Sequence, residues 1–117
     1  MPKKKISKGK QDNNVVPLSR VPSVPEAEKI IRHLVKEGKI SFSKHARQRM
    51  RQREVTTPQI LNCLSKGRIT EPPFFSYENG GGYETRVERG TAGDWLRVVV
   101  CLKLSQNLLI ISVIDEE

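Results

Sequence analysis

A short run of the chain, SKHARQRMRQRE, concentrates groups that could bind or cleave a polyanion. At 100° per residue, Ala46 and Met50 lie on the same side of a helix, and their apolar character predicts that this side is buried. His45, Arg49 and Arg53 then form one row along the margin between core and solvent. Arginine binds phosphate through two parallel hydrogen bonds, and histidine can exchange a proton near neutral pH. The row therefore favours phosphodiester chemistry.

The same helix carries further cations, of which Arg47 and Arg51 point to the other side of the buried stripe. Lys44, Arg47 and Arg51 would add contacts to phosphate, and Arg86 and Arg97 on a predicted sheet are secondary candidates. The alternative interpretation is an arginine-rich, solvated helix in which the histidine belongs only to the N-terminal cap. For the sheet, the alternative is an ordinary solvated face with cross-strand ion pairs.

Other catalytic chemistries find little support in the sequence. His33 lies on a different helix from His45, and no carboxylate cluster accompanies either, so we expect no metal site. The run NGGG at residues 79–82 indicates a turn, since no GK[ST] follows it. Cys63 and Cys101 stand alone in apolar surroundings, which favours buried thiols over a disulfide. We therefore expect neither a metal nor another cofactor.

The net charge of +8 is concentrated in the first half of the chain. Residues 39–68 hold eight lysines and arginines against Glu54 alone, whereas residues 69–117 hold four against eight acidic side chains. This asymmetry favours a polyanionic partner, most often a nucleic acid. No run approaches the roughly 20 apolar residues of a membrane-spanning helix, and the N-terminus lacks the apolar stretch of a secretory signal. We therefore expect a cytoplasmic protein without a membrane partner.

The chain is predicted to contain one flexible arm and one domain. Residues 1–22 combine a lysine run with prolines and few large apolar groups, so they cannot bury enough surface to offset the entropy of ordering. Residues 23–117 suit a single α+β domain, both by their length and by the order of their elements. We expect the arm to add nonspecific affinity for polyanions.

Start and stop signals divide residues 23–67 into three helices. From residue 68 the apolar period changes to two, and Pro72-Pro73 favours an edge position for the first strand. Only one register of Tyr83–Arg89 against Trp95–Leu104 keeps charge out of the core. These patterns predict an α+β fold with N-terminal helices packed on one face of a four-stranded antiparallel sheet. The predicted core contains Leu96, Val98, Val100, Leu102, Ile111, Val113, Ile30, Leu34, Met50 and Leu61.

Several segments together resemble a known family. FSKHARQRMRQREV, TPQILNCLSKGRI, ETRVERGTAGDWLRVVVCL and LLIISVI are similar to domain-of-unknown-function family 4258, whose usual opening is FSxHAxxRMxxR. The opening motif falls on Phe42, His45, Ala46, Arg49, Met50 and Arg53. Members look like RelE-type toxins of toxin–antitoxin systems, in the fold group that includes barnase and colicin nuclease domains. Relatives often have a histidine where Arg97 stands and a tyrosine close to Ile114, so here the resemblance leaves His45 as the only imidazole expected to transfer a proton.

The resemblance and the basic row lead to the same expected function. We expect a toxin-like, metal-independent endoribonuclease in which a 2′-hydroxyl attacks the scissile phosphate. His45 would transfer a proton, while Arg49 and Arg53 bind the phosphate. RNA would be the substrate and a cognate antitoxin the protein partner. The alternatives are a non-catalytic nucleic-acid-binding module on the same surface, and a toxin–antitoxin-type protein-interaction domain.

Overall fold

Three helices occupy the N-terminal half of the computed structural model, which describes residues 20–91 and 94–115. They are α1 (Val24–Glu37), α2 (Lys44–Arg53) and α3 (Thr57–Lys66). Local signals explain the limits of α1. The Ser23 side chain accepts a hydrogen bond from the Glu26 amide, and the Glu26 carboxylate accepts one from the Ser23 amide. Gly38 ends the helix in the left-handed region at φ 74°.

Five strands form one mixed sheet beside these helices. They are β1 (Ile40–Phe42), β2 (Arg68–Ser76), β3 (Gly82–Thr91), β4 (Asp94–Lys103) and β5 (Leu108–Asp115). Their spatial order is β1-β5-β4-β3-β2. The strands from β2 to β5 pair in antiparallel fashion, whereas β1 runs parallel to β5.

The predicted sheet of four antiparallel strands was wrong in number and in direction. β1 adds a fifth strand at one edge, where Phe42 lies opposite Ile110. Its three residues are too few to show the alternation that distinguishes a strand from a loop, and its partner comes last in the chain. The α+β class and the three N-terminal helices are confirmed.

One face of the sheet and the three helices enclose a single apolar core. Buried residues of α1, α2 and α3 belong to the same cluster as Val87, Val98 and Val100. Val87 pairs with Val98, and Thr85 pairs with Val100, so these side chains of β3 and β4 share the core face, as predicted. Each fully buried valine contributes about 1.5–3 kcal/mol to the free energy of unfolding, so this register is strongly favoured over a one-residue slip.

The predicted core is mostly correct, and one β-bulge changes it. The buried members are Ile30, Leu34, Val98, Val100, Leu102 and Val113. The partly buried members are Met50, Leu61, Leu96 and Ile111. In the pairing of β4 with β5, Val99 lies opposite Ser112 but Val100 lies opposite Ile110, so Ile111 is the extra residue of a bulge. Ile110 therefore occupies the core position that strict alternation assigns to Ile111.

The edge position of β2 and its close approach to α3 both have local causes. Pro72 and Pro73 cannot donate hydrogen bonds to a ladder, and β2 lies at the sheet edge, as predicted. Gly67 connects α3 to β2, and a Cβ atom there would lie 2.5 Å from the carbonyl oxygens of Cys63 and Glu88. Only glycine fits at this junction without a backbone shift.

The predicted N-terminal arm overlaps the described residues only at 20–22. Arg20 Nη2 lies 2.8 Å from Glu26 Oε2, and the side chain of Pro22 is fully buried. The hydrogen bond from Arg20 and the Ser23 amide together lower the pKa of Glu26 to about 2. The remainder of the predicted arm, residues 1–19, lies outside the described residues.

Candidate nucleic-acid interface

The basic helix α2 begins at a serine that is fixed to strand β5. The Ser43 amide donates a hydrogen bond to the Ile110 carbonyl at 2.9 Å, and its hydroxyl donates one to the Ile111 carbonyl at 3.1 Å. The same hydroxyl oxygen accepts a hydrogen bond from the Ala46 amide at 3.0 Å, which caps the helix. One side chain therefore sets both the start of α2 and its position against the sheet.

The side chains of α2 divide into a buried face and an exposed one. Ala46 is fully buried and Met50 packs against the apolar core, as their spacing predicts. Arg49 and Arg53 are half-buried beside them, at the margin of the core. His45 is exposed. Of the predicted row, the second and third members thus lie at the margin, and the first faces solvent.

Five basic side chains of α2 have no acidic partner. No hydrogen bond or ion pair with any described residue is made by the side chains of Lys44, His45, Arg47, Arg49 and Arg51. We call these five residues the cationic face. Like charges one turn apart destabilise a helix by a few tenths of a kcal/mol per pair, and the first turn contains no acidic residue to offset them. An anionic partner bound at the cationic face would therefore offset this repulsion between like charges.

Arg53 differs from the cationic face because it is paired. Its Nη1 atom lies 3.0 Å from Asp115 Oδ1, and both side chains are about 30% exposed. The pair joins the end of α2 to the end of β5. Arg53 therefore stabilises the fold at the core margin, and a phosphate would have to share its guanidinium with Asp115. Sequence reasoning did not identify Asp115 as a neighbour of this site.

Arg86 and Arg97 lie on the sheet face that points away from the helices. Arg86 Nη1 is 3.3 Å from Glu71 Oε1, and Arg97 Nη2 is 2.8 Å from Glu88 Oε2. Cross-strand ion pairs of this kind stabilise a sheet by about 0.2–1 kcal/mol each. The fold therefore does not bring these two arginines to the cationic face.

Glu88 is the centre of the polar network on that outer face. Its carboxylate accepts hydrogen bonds from the Thr70 hydroxyl at 2.8 Å, the Trp95 indole at 3.2 Å and Arg97 Nε at 2.9 Å. Burial raises the pKa of Glu88, but these hydrogen bonds and the Arg97 charge outweigh burial and leave the pKa below its ordinary value. Glu88 is thus ionised at neutral pH and links β2, β3 and β4.

A cleft of about 370 Å³ opens between the end of α2, the start of α3 and the ends of the central strands. Its polar lining includes Arg53, Gln59, Asn62, Arg89, Asp94 and Asp115. Leu96 pairs with Arg89 on one side and with Asp115 on the other, so these three residues form a cross-strand row facing the helices. The cleft is therefore the polar end of the helix–sheet interface that encloses the core.

Sequence reasoning missed this cleft, although one signal for it was present. Arg89 alternates with Val87 and Thr85, both of which are buried on the core face. The alternation therefore assigns a cation to the core face at the end of β3. An arginine in that position needs either an acidic neighbour or an opening to solvent.

The thiols and carboxylates of the described residues offer no other chemistry. Cys63 and Cys101 are buried and unpaired, as predicted. Burial raises the pKa of Cys63 to about 11 and also raises the pKa of Cys101, so neither forms a thiolate nucleophile at neutral pH. Within residues 20–91 and 94–115, no group of three His, Cys, Asp or Glu side chains could hold a metal ion. No helix in these ranges is long and apolar enough to cross a membrane.

Comparison with protein families supports the resemblance of the opening motif. Residues 42–115 match the family described as Domain of unknown function (DUF4258). The chain belongs to DUF4258. The DUF4258 match begins at the last residue of β1 and ends with β5, so it contains α2, α3 and the cleft, whereas α1 precedes it. No curated protein and no solved structure matches the chain.

Proposed function

We propose that this DUF4258 protein is a toxin-like, metal-independent endoribonuclease that binds single-stranded RNA along the cationic face of α2. The observation that carries the proposal is the exposed His45, which lies in the first turn of a helix whose neighbouring cations have no carboxylate partner among the described residues. The phosphates of RNA would supply the missing counter-charge. The opening motif resembles DUF4258, and the likeness of that family's members to RelE-type toxins supports the same function.

The proposed reaction uses the RNA's own 2′-hydroxyl as the nucleophile. The hydroxyl proton passes to the imidazole of His45, the 2′-oxygen bonds to phosphorus, and the bond from phosphorus to the 5′-oxygen breaks. Arg49 lies one turn from His45 on the same side of α2, where its guanidinium can bind the phosphate as negative charge develops. Water supplies the proton to the departing 5′-oxygen, because no second proton-transfer group is hydrogen-bonded to His45 within the described residues.

Incubation of the purified protein with labelled single-stranded RNA in EDTA tests this proposal. The expected products end in a 2′,3′-cyclic phosphate and a 5′-hydroxyl, because the 2′-oxygen displaces the 5′-oxygen without water as nucleophile. The matched control is the same RNA with a 2′-deoxyribose at the cleaved position, which should remain intact. A requirement for a divalent cation, or products that carry a 5′-phosphate, would contradict the mechanism.

The second candidate is a non-catalytic RNA-binding module on the same face. It is favoured by the ion pair of Arg53 with Asp115, which already occupies one of the three groups assigned to the reaction. One measurement distinguishes the two candidate functions. A binding module retains intact RNA on the cationic face, in a salt-dependent manner, over times at which a nuclease would degrade it.

The partner expected of a toxin-like nuclease is a cognate antitoxin. An antitoxin that blocks RNA would cover the cationic face and would need acidic side chains to do so. We propose such a protein as the physiological partner. Co-expression of the neighbouring gene product, followed by copurification at low and high salt, tests this part of the proposal.

A further inference from the structure

The cleft beside the cationic face contains an arginine that the fold does not use. Arg89 Nε is buried without a hydrogen-bond acceptor, and Arg89 forms no ion pair with any described residue. Arg53 and Arg97, in contrast, are bound to carboxylates. Buried donors in folded proteins nearly always have a partner. Because Arg89 is half-buried and lines the cleft, its guanidinium indicates a ligand that offers hydrogen-bond acceptors.

The charges of the cleft disfavour a phosphate as that ligand. Two arginines line it together with three carboxylates, those of Glu54, Asp94 and Asp115. A phosphate would be repelled by these carboxylates, whereas a neutral ligand with both donors and acceptors would find partners of each kind. The side-chain amides of Gln59 and Asn62 add further groups of both types.

We infer that this cleft binds one base of an RNA strand and that the preferred base is guanine. The inference rests on the proposed function, since it names the feature by which the same protein would recognise its RNA. The cleft volume of about 370 Å³ lies within the range of small-molecule sites.

Guanine matches the polar groups of the cleft better than the other three bases. Its O6 and N7 atoms are neighbouring acceptors that a guanidinium binds with two N–H groups, as Arg89 could do. Its N1–H and 2-amino groups are donors, for which the Asp115 carboxylate is an acceptor. Adenine and cytosine reverse part of this pattern, because each has an amino group where guanine or uracil has a carbonyl oxygen. Uracil has the carbonyl oxygens but only one donor.

The cleft and the cationic face meet at Arg53. This residue ends α2 and also lines the cleft, whereas His45 lies eight residues earlier, about 12 Å along the helix axis. A base in the cleft would therefore place the adjoining backbone along α2. The phosphate beside His45 would belong to a neighbouring nucleotide rather than to the bound guanosine.

Calorimetry provides the readout, because the Trp95 indole is hydrogen-bonded to Glu88 on the outer face of the sheet and would report cleft binding only indirectly. The experiment titrates the full-length protein with each of the four nucleoside 5′-monophosphates and, separately, with inorganic phosphate, and follows the heat of binding. Guanosine monophosphate should give a saturable change at a concentration at least tenfold lower than the other three. Equal responses to all four, or a response to phosphate alone, would show an anion site and overturn the inference, as would the absence of any response.

Matched variants separate the cleft from the cationic face. Arg89→Ala should weaken guanosine monophosphate binding at least tenfold, and Asn62→Ala, an exposed position with no hydrogen bond of its own among described residues, should weaken it several-fold without affecting folding. Arg68→Ala removes an exposed guanidinium outside the cleft and should leave binding unchanged. Wild-type affinity in both Arg89→Ala and Asn62→Ala would overturn the inference.

The failure of this inference is distinguishable from the failure of the proposed function. His45→Ala should slow RNA cleavage by about 10²–10⁴ but retain guanosine monophosphate binding, because His45 does not line the cleft. Guanosine binding without any RNA cleavage by the wild type would remove the nuclease and keep the base site. Cleavage of RNA at all sequences alike, with no binding of guanosine monophosphate, would keep the nuclease and remove the base site.

Discussion

Arg53 and Asp115 are 62 positions apart in the chain, yet their side chains form an ion pair with Nη1 and Oδ1 3.0 Å apart. The pair is half-shielded from water, so its energy should exceed that of a fully exposed pair. A double-mutant cycle with Arg53→Ala and Asp115→Ala should give a coupling energy of about 0.5–1 kcal/mol in urea denaturation. Arg51→Ala, which removes an exposed arginine of the same helix, should change stability by less than about 0.5 kcal/mol. Zero coupling would mean that the ion pair with Asp115 does not stabilise the fold.

His45 should control cleavage but not binding. Replacement by alanine should slow RNA cleavage in EDTA by about 10²–10⁴ if the imidazole transfers a proton, and should change RNA affinity less than twofold. His33→Ala on α1 is the matched control, since it removes the other imidazole of the chain and should cleave at the wild-type rate. Equal rates for the wild type and His45→Ala would remove His45 from the mechanism.

The cationic face should determine the salt dependence of RNA binding. Each phosphate contact that is lost should lower the magnitude of the slope of log K against log salt by about 0.7 for single-stranded RNA. We expect this change for Arg47→Ala and for Arg51→Ala, measured by fluorescence anisotropy between low and moderate salt. Arg97→Ala should leave the slope unchanged, because that guanidinium is paired with Glu88 on the other face of the sheet. A reduced slope for Arg97→Ala would place RNA on that outer face.

Glu88 should stabilise the sheet in a pH-dependent manner. Because its folded-state pKa lies below the ordinary value of 4.5, its contribution is fully present above about pH 4.5 and is lost as the pH falls through the folded-state pKa. Glu88→Gln should therefore cost about 1–2 kcal/mol at pH 7, where a charged acceptor is lost. The difference from wild type should shrink in urea denaturation below pH 4. Glu78→Gln, at an exposed position, should show no such pH dependence.

Both thiols should be unreactive in the folded protein. Burial raises the pKa of Cys63 to about 11 and that of Cys101 above its ordinary value, so little thiolate forms at pH 8. Iodoacetamide at pH 8 should modify neither residue within an hour in buffer, as measured by mass spectrometry, and both in 6 M guanidinium chloride. Rapid native alkylation of Cys63 would mean that the cleft opens further than the structure indicates.

The faces that the side chains of β3 and β4 occupy were predictable from sequence, because a slip of one position would bury charged side chains in the core. Val87 and Val98 alternate with charged residues on their own strands, so a slip of one position would bury Glu88 or Arg97 in the core. The bulge that turns Ile110 inward was not predictable, since both Ile110 and Ile111 are apolar and either could face the core.

Only the part of the candidate site that lies within one helix was predictable from sequence, because the rest combines residues that are far apart in the chain. The cationic face lies within one helix, so helical spacing alone predicts that His45 and Arg49 flank the buried stripe on one side and Arg47 and Arg51 on the other. The cleft joins residues of α2, α3 and three strands, and depends on how those elements pack. Asp115 became a neighbour of Arg53 only through the mixed sheet, whose parallel strand no local pattern indicates.

The attachment of α2 to β5 has a consequence for the order in which the protein folds during synthesis. Ser43 is bonded to Ile110 and Ile111, and these contacts join segments at nearly opposite ends of the domain. A ribosome therefore releases the basic helix long before it makes the strand that holds it, and such long-range contacts form late. A nascent chain would carry the cations of the site without their arrangement, so the proposed nuclease activity would appear only after the last strand has left the exit tunnel.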